Sequence, residues 1–255
     1  MLNQPAVKRW LESYLDQPAI KTVLMFEEAW WTRPDCAFKP NPMWPTDSPG
    51  PKPPVAQCVG GATITDLPLR MVYYFANNVA NGPGAKGDPY VLLASYDYMN
   101  YSDFWREMEI AGEYEEAPSV WRQPLTGPTY LKPDSPFARL LVKQLAEVHG
   151  MQASSIPLPS TVCFQDWGQD PVGGGYHGWA AHFDICRALD VVRAPYEKIL
   201  NQRKTKTYII GSCYSLDQAW VEGAFCTAES VLTEFLGLPP GSPYCGDRHL
   251  VCSPA

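Results

Sequence analysis

The sequence predicts an α+β protein, with a mixed, largely antiparallel sheet flanked by helices. Three observations lead there. Segments 70–76 (RMVYYFA) and 90–96 (YVLLASY) are rich in the aromatic and aliphatic residues that favour strands. Two other stretches repeat apolar residues at helical spacing: Phe137, Leu140, Leu141, Leu145 and Val148, then Trp220, Ala224, Ala228, Val231, Leu232 and Phe235. The connections between such segments are marked by proline and glycine.

In chain order, Gln4-Pro5 opens a helix, because proline suits the first helical position. Val7, Trp10, Leu11, Tyr14 and Leu15 give that helix an apolar face, and Asp16-Gln17-Pro18 ends it. Residues 20–31 read as a strand, and the proline-crowded stretch 41–54 is a loop. The strands at 70–76 and 90–96 pair most simply as an antiparallel hairpin with Asn81-Gly82-Pro83-Gly84 in its tip. Ser102 is placed to cap a short helix through Phe104, Trp105 and Met108. Ser135-Pro136 starts a further helix that Gly150 closes. Residues 161–167 form a strand, and 170–179 a glycine-rich loop that exposes aromatics. Residues 207–210 form a short strand ending at Gly211. A long helix over 216–236 follows, with Ser215 and Gln218 spaced as a capping box and Gly237 and Pro239 stopping it.

Bulk properties narrow the function. The chain has 255 residues, 45% hydrophobic and 18% charged, enough for a packed core. A net charge of −7 argues against nucleic acid and anionic membrane surfaces as partners. No apolar run reaches the roughly eighteen residues of a membrane span, and the first nine residues lack the apolar centre of a secretory signal. The 8 cysteines form no C-x-x-C pair, and no histidine stands at zinc-ligand spacing from them, so no metal site is expected. Several sit in apolar runs, as in Val162-Cys163-Phe164 and Ala224-Phe225-Cys226, which points to reduced, buried thiols in a cytoplasmic protein. Cys245 and Cys252 flank a short polar loop that an oxidising compartment would allow to bridge.

The strand–turn–helix around Gly211 carries the chemistry. Glycine there lets a ligand approach the backbone closely. The first turn of the following helix offers N–H groups and the positive end of its dipole, which favour an anion. Small residues at Gly223, Ala224 and Ala228 allow close packing against a ring or another helix, and a helix packed under a sheet with no ligand fits the same pattern.

Gly211-Ser212-Cys213-Tyr214-Ser215, Gln218-Ala219-Trp220-Val221-Glu222-Gly223-Ala224 and Thr227-Ala228-Glu229 closely resemble the final FAD-contacting motif of the flavin amine oxidases. The likeness is greatest to the bacterial L-amino-acid oxidases and amino-acid 2-monooxygenases. Three more segments agree in family order. Thr65-Asp66-Leu67-Pro68-Leu69-Arg70, with Tyr73-Tyr74, and Val91-Leu92-Leu93-Ala94-Ser95-Tyr96 are similar to strands of the substrate domain. Trp167-Gly168-Gln169-Asp170-Pro171 with Gly173-Gly174-Gly175-Tyr176 is similar to the family's W-G-x-D-P-x-G-G-G segment. The resemblance implies a substrate-binding domain over 1–160, a C-terminal FAD-contacting segment over 161–237 belonging to the FAD-binding domain, and a tail over 238–255.

It also implies FAD as cofactor and oxidative deamination of an amino acid to a 2-oxo acid, ammonia and hydrogen peroxide. Gly211, Ser212, Ala219, Trp220 and Val221 become the expected FAD contacts, and Trp220, Tyr176 and Trp179 the expected substrate walls. Two positions depart from the pattern: Ser212 stands where the family usually has Glu, and Ala219 where it usually has Gly before the Trp. The G-x-G-x-x-G loop of a Rossmann half is absent. The family's carboxylate-binding arginine and its lysine near flavin N5 are expected upstream of the segment matching Met1, so no catalytic residue is assigned. The expectation is a C-terminal half or subunit that works with a Rossmann-type partner. The alternatives are a truncated or non-catalytic partner-binding derivative, or a monooxygenase. His177 is a pocket contact or a solvated loop residue, and Arg70 is expected to pair with Asp66 in preference to contacting the substrate.

Overall fold

The computed structural model describes residues 3–33, 60–75, 89–98, 101–110, 127–168 and 173–241. The protein divides into two compact units: a sheet unit, Pro18–Gly175, and a helical unit of Met1–Gln17 with Tyr176–Ala255.

Strands β1 (Tyr14–Gln17) to β8 (Tyr176–Trp179) alternate with helices in an α+β arrangement. The sheet unit holds β2 (Ala19–Phe26), β3 (Ala62–Ile64), β4 (Met71–Tyr74), β5 (Tyr90–Tyr98), β6 (Thr129–Leu131) and β7 (Thr161–Asp166). They form one sheet in the order β3-β4-β5-β2-β7-β6, and every named pair is antiparallel. The hairpin expected from sequence is the β4–β5 pair. Strand β2 is central. It pairs with β5 on one side and β7 on the other, with a bulge where Thr22 faces Ser95 but Val23 faces Leu93.

Alternation along β2 gives the sheet two unlike faces. Ile20, Leu24 and Phe26 are fully buried and join Leu92, Val162 and Phe164 in the main core. Helices α2 (Tyr101–Ile110) and α3 (Pro136–His149) add Trp105, Phe137, Leu141 and Leu145 to that core. The α3 ends are as the sequence predicts: Ser135 Oγ accepts from the Ala138 N–H at 3.3 Å, and Gly150 closes the helix at φ 63°. Some of the buried polar groups are tied to backbone or to each other. Gln144 Oε1 accepts from the Leu69 N–H at 2.8 Å, Trp105 Nε1 donates to the Pro68 carbonyl at 2.7 Å, and His149 Nε2 meets the Tyr74 hydroxyl at 3.0 Å.

Several sequence expectations need correction. The strand from residue 20 stops at Phe26, and Trp30–Thr32 is a 3-10 turn that buries both tryptophans. Ser102 lies inside α2 rather than capping it, and its Oγ donates to the Pro18 carbonyl. Arg70 does not pair with Asp66. Asp66 accepts from Thr65 Oγ1, while the Arg70 guanidinium faces the Tyr98 and Tyr101 rings. The proline-rich loop at 41–54 and the hairpin tip lie outside the described residues.

The helical unit contains α1 (Pro5–Leu11), the two-stranded antiparallel sheet β1–β8, α4 (Ile185–Val192), α5 (Pro195–Lys198) and α6 (Val221–Leu236). The first helix ends four residues early because Tyr14–Gln17 is taken up by pairing with Tyr176–Trp179. That pairing also makes a strand of residues expected in a loop. Val191, Val192 and Tyr214 form a small core with Trp10, Leu11, Tyr14 and Trp179. Arg193 and Lys198 each bridge Asp190 and Glu234, which ties the α4–α5 segment to α6. Cys186 and Cys226 are disulfide-bonded, which corrects the expectation of reduced thiols at these two positions, while Cys163 and Cys213 are free.

One buried charge in the sheet unit has a measurable consequence. Asp97 is fully buried; its Oδ1 accepts the Tyr98 N–H at 2.7 Å, but among the described residues its Oδ2 has no hydrogen-bond partner. Burial pushes its pKa up from 3.8 to about 6, against the smaller opposing pulls of the Tyr98 N–H and the Arg70 cation. The folded form therefore holds this proton more tightly than the unfolded chain. The stability is present below about pH 4 and lost as pH rises through about 6, up to about 3 kcal/mol. Urea unfolding at pH 4.5 and pH 7 should show Asp97→Asn gaining most of that amount relative to the native chain at pH 7 and about a third of it at pH 4.5. An equal effect at both pH values would contradict the assignment.

Candidate functional site

In the helical unit the turn from Gly211 to Trp220 is held by its own side chains. Gly211 sits at φ 143°, a conformation that favours glycine, and its N–H donates to Thr227 Oγ1 at 2.9 Å. Ser212–Tyr214 is a 3-10 turn, and the expected strand at 207–210 is irregular chain. The capping box does not form. Ser215 Oγ donates to the Ser212 carbonyl at 2.8 Å, and Gln218 Nε2 to the Cys213 carbonyl at 2.7 Å. Both side chains brace the turn instead, so α6 begins at Val221 with Trp220 as its N-cap and no side chain capping it.

Ala219 has φ 66°, a left-handed conformation costly for a residue with a Cβ. That geometry accounts for the glycine the resemblance leads one to expect here. Gly223 shows the opposite constraint: a Cβ there would overlap Ser215 Oγ and the Asp217 carbonyl, so the turn folds back onto the helix only over glycine. Trp220 is 67% exposed, and so is Phe225 one turn along.

Strand β8 brings His177 to the turn. His177 Nε2 lies 3.1 Å from Ser212 Oγ, and its ring meets Tyr14 edge-on. Burial pushes the His177 pKa down, against a weaker upward pull from Asp16, so the ring is neutral at pH 7. Burial also raises Cys213 and Tyr214, which keeps both protonated. Gly211, Ser212 and His177 are thus gathered together, and Ala219, Trp220 and Val221 form the uncapped helix start. Tyr176 and Trp179 lie on the same strand as His177, but Trp179 packs into the small core beside Val191 and Val192. His177 was noted in the sequence without its partner, because a hydrogen bond spanning 35 residues leaves no local signal.

The sheet unit carries a second group of side chains that the sequence reading passed over. Lys21, Val23 and Met25 point away from the main core and are only half-buried. Lys21 Nζ sits 4.8 Å from the centre of the Tyr96 ring and 5.2 Å from that of Trp167. Trp167 is steadied by its neighbour Asp166, which accepts from Arg106 Nε and from the Gly168 N–H, each at 2.7 Å. A lysine in a strand whose other residues, Thr22 apart, are apolar was the available signal.

No family model matches the chain. It is similar to aplysianin-A of Aplysia kurodai, 25% identical over 219 residues, 85% of this chain and 32% of that protein. It is also similar to achacin of Lissachatina fulica, 23% identical over 222 residues, 86% of this chain and 34% of that protein. An uncharacterized protein of Acanthamoeba polyphaga mimivirus is 25% identical over 178 residues, 70% of this chain and 29% of that protein. The chain spans about a third of the length of each of these relatives.

Two substitutions test the turn. Ala219→Gly relieves the left-handed strain and should stabilise the protein by about 0.5–1 kcal/mol, after allowing for the greater chain entropy of glycine. Gly223→Ala should destabilise it by roughly 1–3 kcal/mol through forced overlap. Thermal or urea unfolding measures both, and a neutral Gly223→Ala would show that the fold-back is not tight.

Proposed function

We propose that the chain belongs to the flavin amine oxidase family and forms the C-terminal half, or a separate subunit, of an FAD-dependent L-amino-acid oxidase. Its partner is a Rossmann-type FAD-binding half. The carrying observation is the braced turn from Gly211 to Trp220, which ends in an uncapped helix start beside an exposed tryptophan. The match to about a third of longer relatives supports the reading.

The residues present fit a flavin. The first turn of α6 has no side-chain cap, so its N–H groups and dipole suit the anionic edge of the ring. Ser212 Oγ, held by His177, offers a hydroxyl partner at the turn. The exposed apolar residues Trp220, Val221 and Phe225 are surfaces for a ring or for the partner half. A bound flavin would supply the two-electron oxidation of the amino acid, with oxygen as final acceptor.

The purified chain alone should carry no stoichiometric FAD through gel filtration. Co-expression with a Rossmann-type chain should yield a yellow complex. Trp220→Phe should leave the melting temperature nearly unchanged and reduce kcat/KM. A chain that binds stoichiometric FAD unaided would remove the need for a partner. A Trp220→Phe variant that loses stability but not turnover would make that residue a packing element.

A further inference from the structure

Helix α6 is held along its two halves by different means. Toward its rear Ser230 and Val231 are buried, and the Phe235 ring packs on that of Tyr208, 5.1 Å between centres. Charge anchors the rear as well: Glu234 accepts from Arg193 Nη1 at 3.1 Å and from Lys198 Nζ at 2.8 Å, both on the α4–α5 side. The front half buries only Gly223 and Thr227, and its large apolar side chains, Val221 and Phe225, are 59% and 67% exposed. Its covalent tie to α4 is the bond between Cys186 and Cys226.

That bond sits beside the groups that shape the turn. Cys226 precedes Thr227, whose Oγ1 accepts the Gly211 N–H at 2.9 Å. It also lies one helical turn after Gly223, where Ser215 and the Asp217 carbonyl fold back onto the helix. Neither cysteine is fully buried, so a small thiol can reach the sulfurs. The free Cys213 of the same unit is kept protonated by burial, which removes it as an internal attacker of the bond.

We propose that the Cys186–Cys226 disulfide is a redox switch on the start of α6. Closed, it clamps the front half of the helix to α4 and holds the turn from Gly211 to Trp220 in one shape. Opened by a small thiol such as glutathione, it frees that half, because little buried apolar surface keeps it in place. Opening takes two thiols. The first attacks one cysteine sulfur as its thiolate and breaks the S–S bond, leaving a mixed disulfide, and the second displaces the first. The products are two cysteine thiols and one disulfide of the reductant, so two electrons and two protons reach the protein. Closing is the reverse exchange with the disulfide of the same thiol. The switch acts on the helix start that the oxidase reading assigns to flavin, and it rests on that reading only for what is regulated.

The full chain without flavin is equilibrated in glutathione buffers from fully oxidised to fully reduced. Alkylation with peptide mapping gives the fraction of Cys186 and Cys226 opened, and hydrogen exchange gives the protection of the amides. Opening should follow the glutathione ratio and reverse with it. It should speed exchange across residues 208–227 by about 10-fold or more and leave the β1–β8 pair and β2 unchanged. The double variant Cys186→Ser, Cys226→Ser should show the fast exchange at every ratio. A bond that excess reduced glutathione does not open, unchanged exchange on opening, or a ratio dependence that survives in the double variant would each overturn the proposal. So would exchange that rises equally throughout the helical unit, since the bond would then be a staple for the whole unit. Flavin takes no part in these measurements, so their outcome is separate from that of the oxidase reading.

Discussion

The two-faced alternation of β2 is the constraint on which the sheet unit depends. Ile20, Leu24 and Phe26 are sealed under α2 and α3, and Lys21, Val23 and Met25 point the other way. Because both neighbours of β2 are antiparallel and hydrogen-bonded along its length, its register is fixed from two sides. A slip by one residue would drive Lys21 into the core and Ile20 out of it, which is costly at every position at once. The same constraint places Tyr96 opposite Lys21 and, two residues on, Tyr98 beside Arg70. Core packing on one face therefore positions cations and aromatics on the other.

The helical unit works differently. Its core is small, and regular secondary structure does not shape the stretch before α6. Side chains do so instead: Thr227 holds Gly211, Ser215 and Gln218 hold the carbonyls of Ser212 and Cys213, and His177 reaches Ser212 from the paired strand. The result is a rigid turn that leaves the helix start uncapped and Trp220 exposed. The ion-pair network through Glu234 and the disulfide-bonded Cys186 and Cys226 add ties that a small core alone would not supply.

Much of this was legible in the residues. The α3 helix was readable end to end because Ser135, Pro136 and Gly150 each act locally. The β4–β5 hairpin was readable because aromatic and aliphatic residues cluster in both strands. The misreadings came from non-local partners. Tyr14 and Leu15 fit a helical period, but pairing with β8 decided their conformation. Ser215 and Gln218 have capping-box spacing, but the tight turn over Gly223 recruits them earlier. Arg70 was assigned to Asp66 by proximity in sequence, whereas its positive φ turns the side chain toward Tyr98 and Tyr101. For the candidate site, the motif at Gly211–Val221 was visible in sequence, and the contact of His177 with Ser212 and the ring-flanked Lys21 became visible only in three dimensions.

The proposed role of this chain is to complete an amino-acid-oxidising flavoprotein. Anaerobic mixing of the two-chain complex with L-amino acids, monitored by the absorbance of oxidised flavin, reads that role out. At least one L-amino acid should bleach the flavin while its D-enantiomer does not, and admitting oxygen should restore the colour. A complex that stays yellow with every L-amino acid, or a chain that never assembles with flavin and a Rossmann-type half, would contradict it.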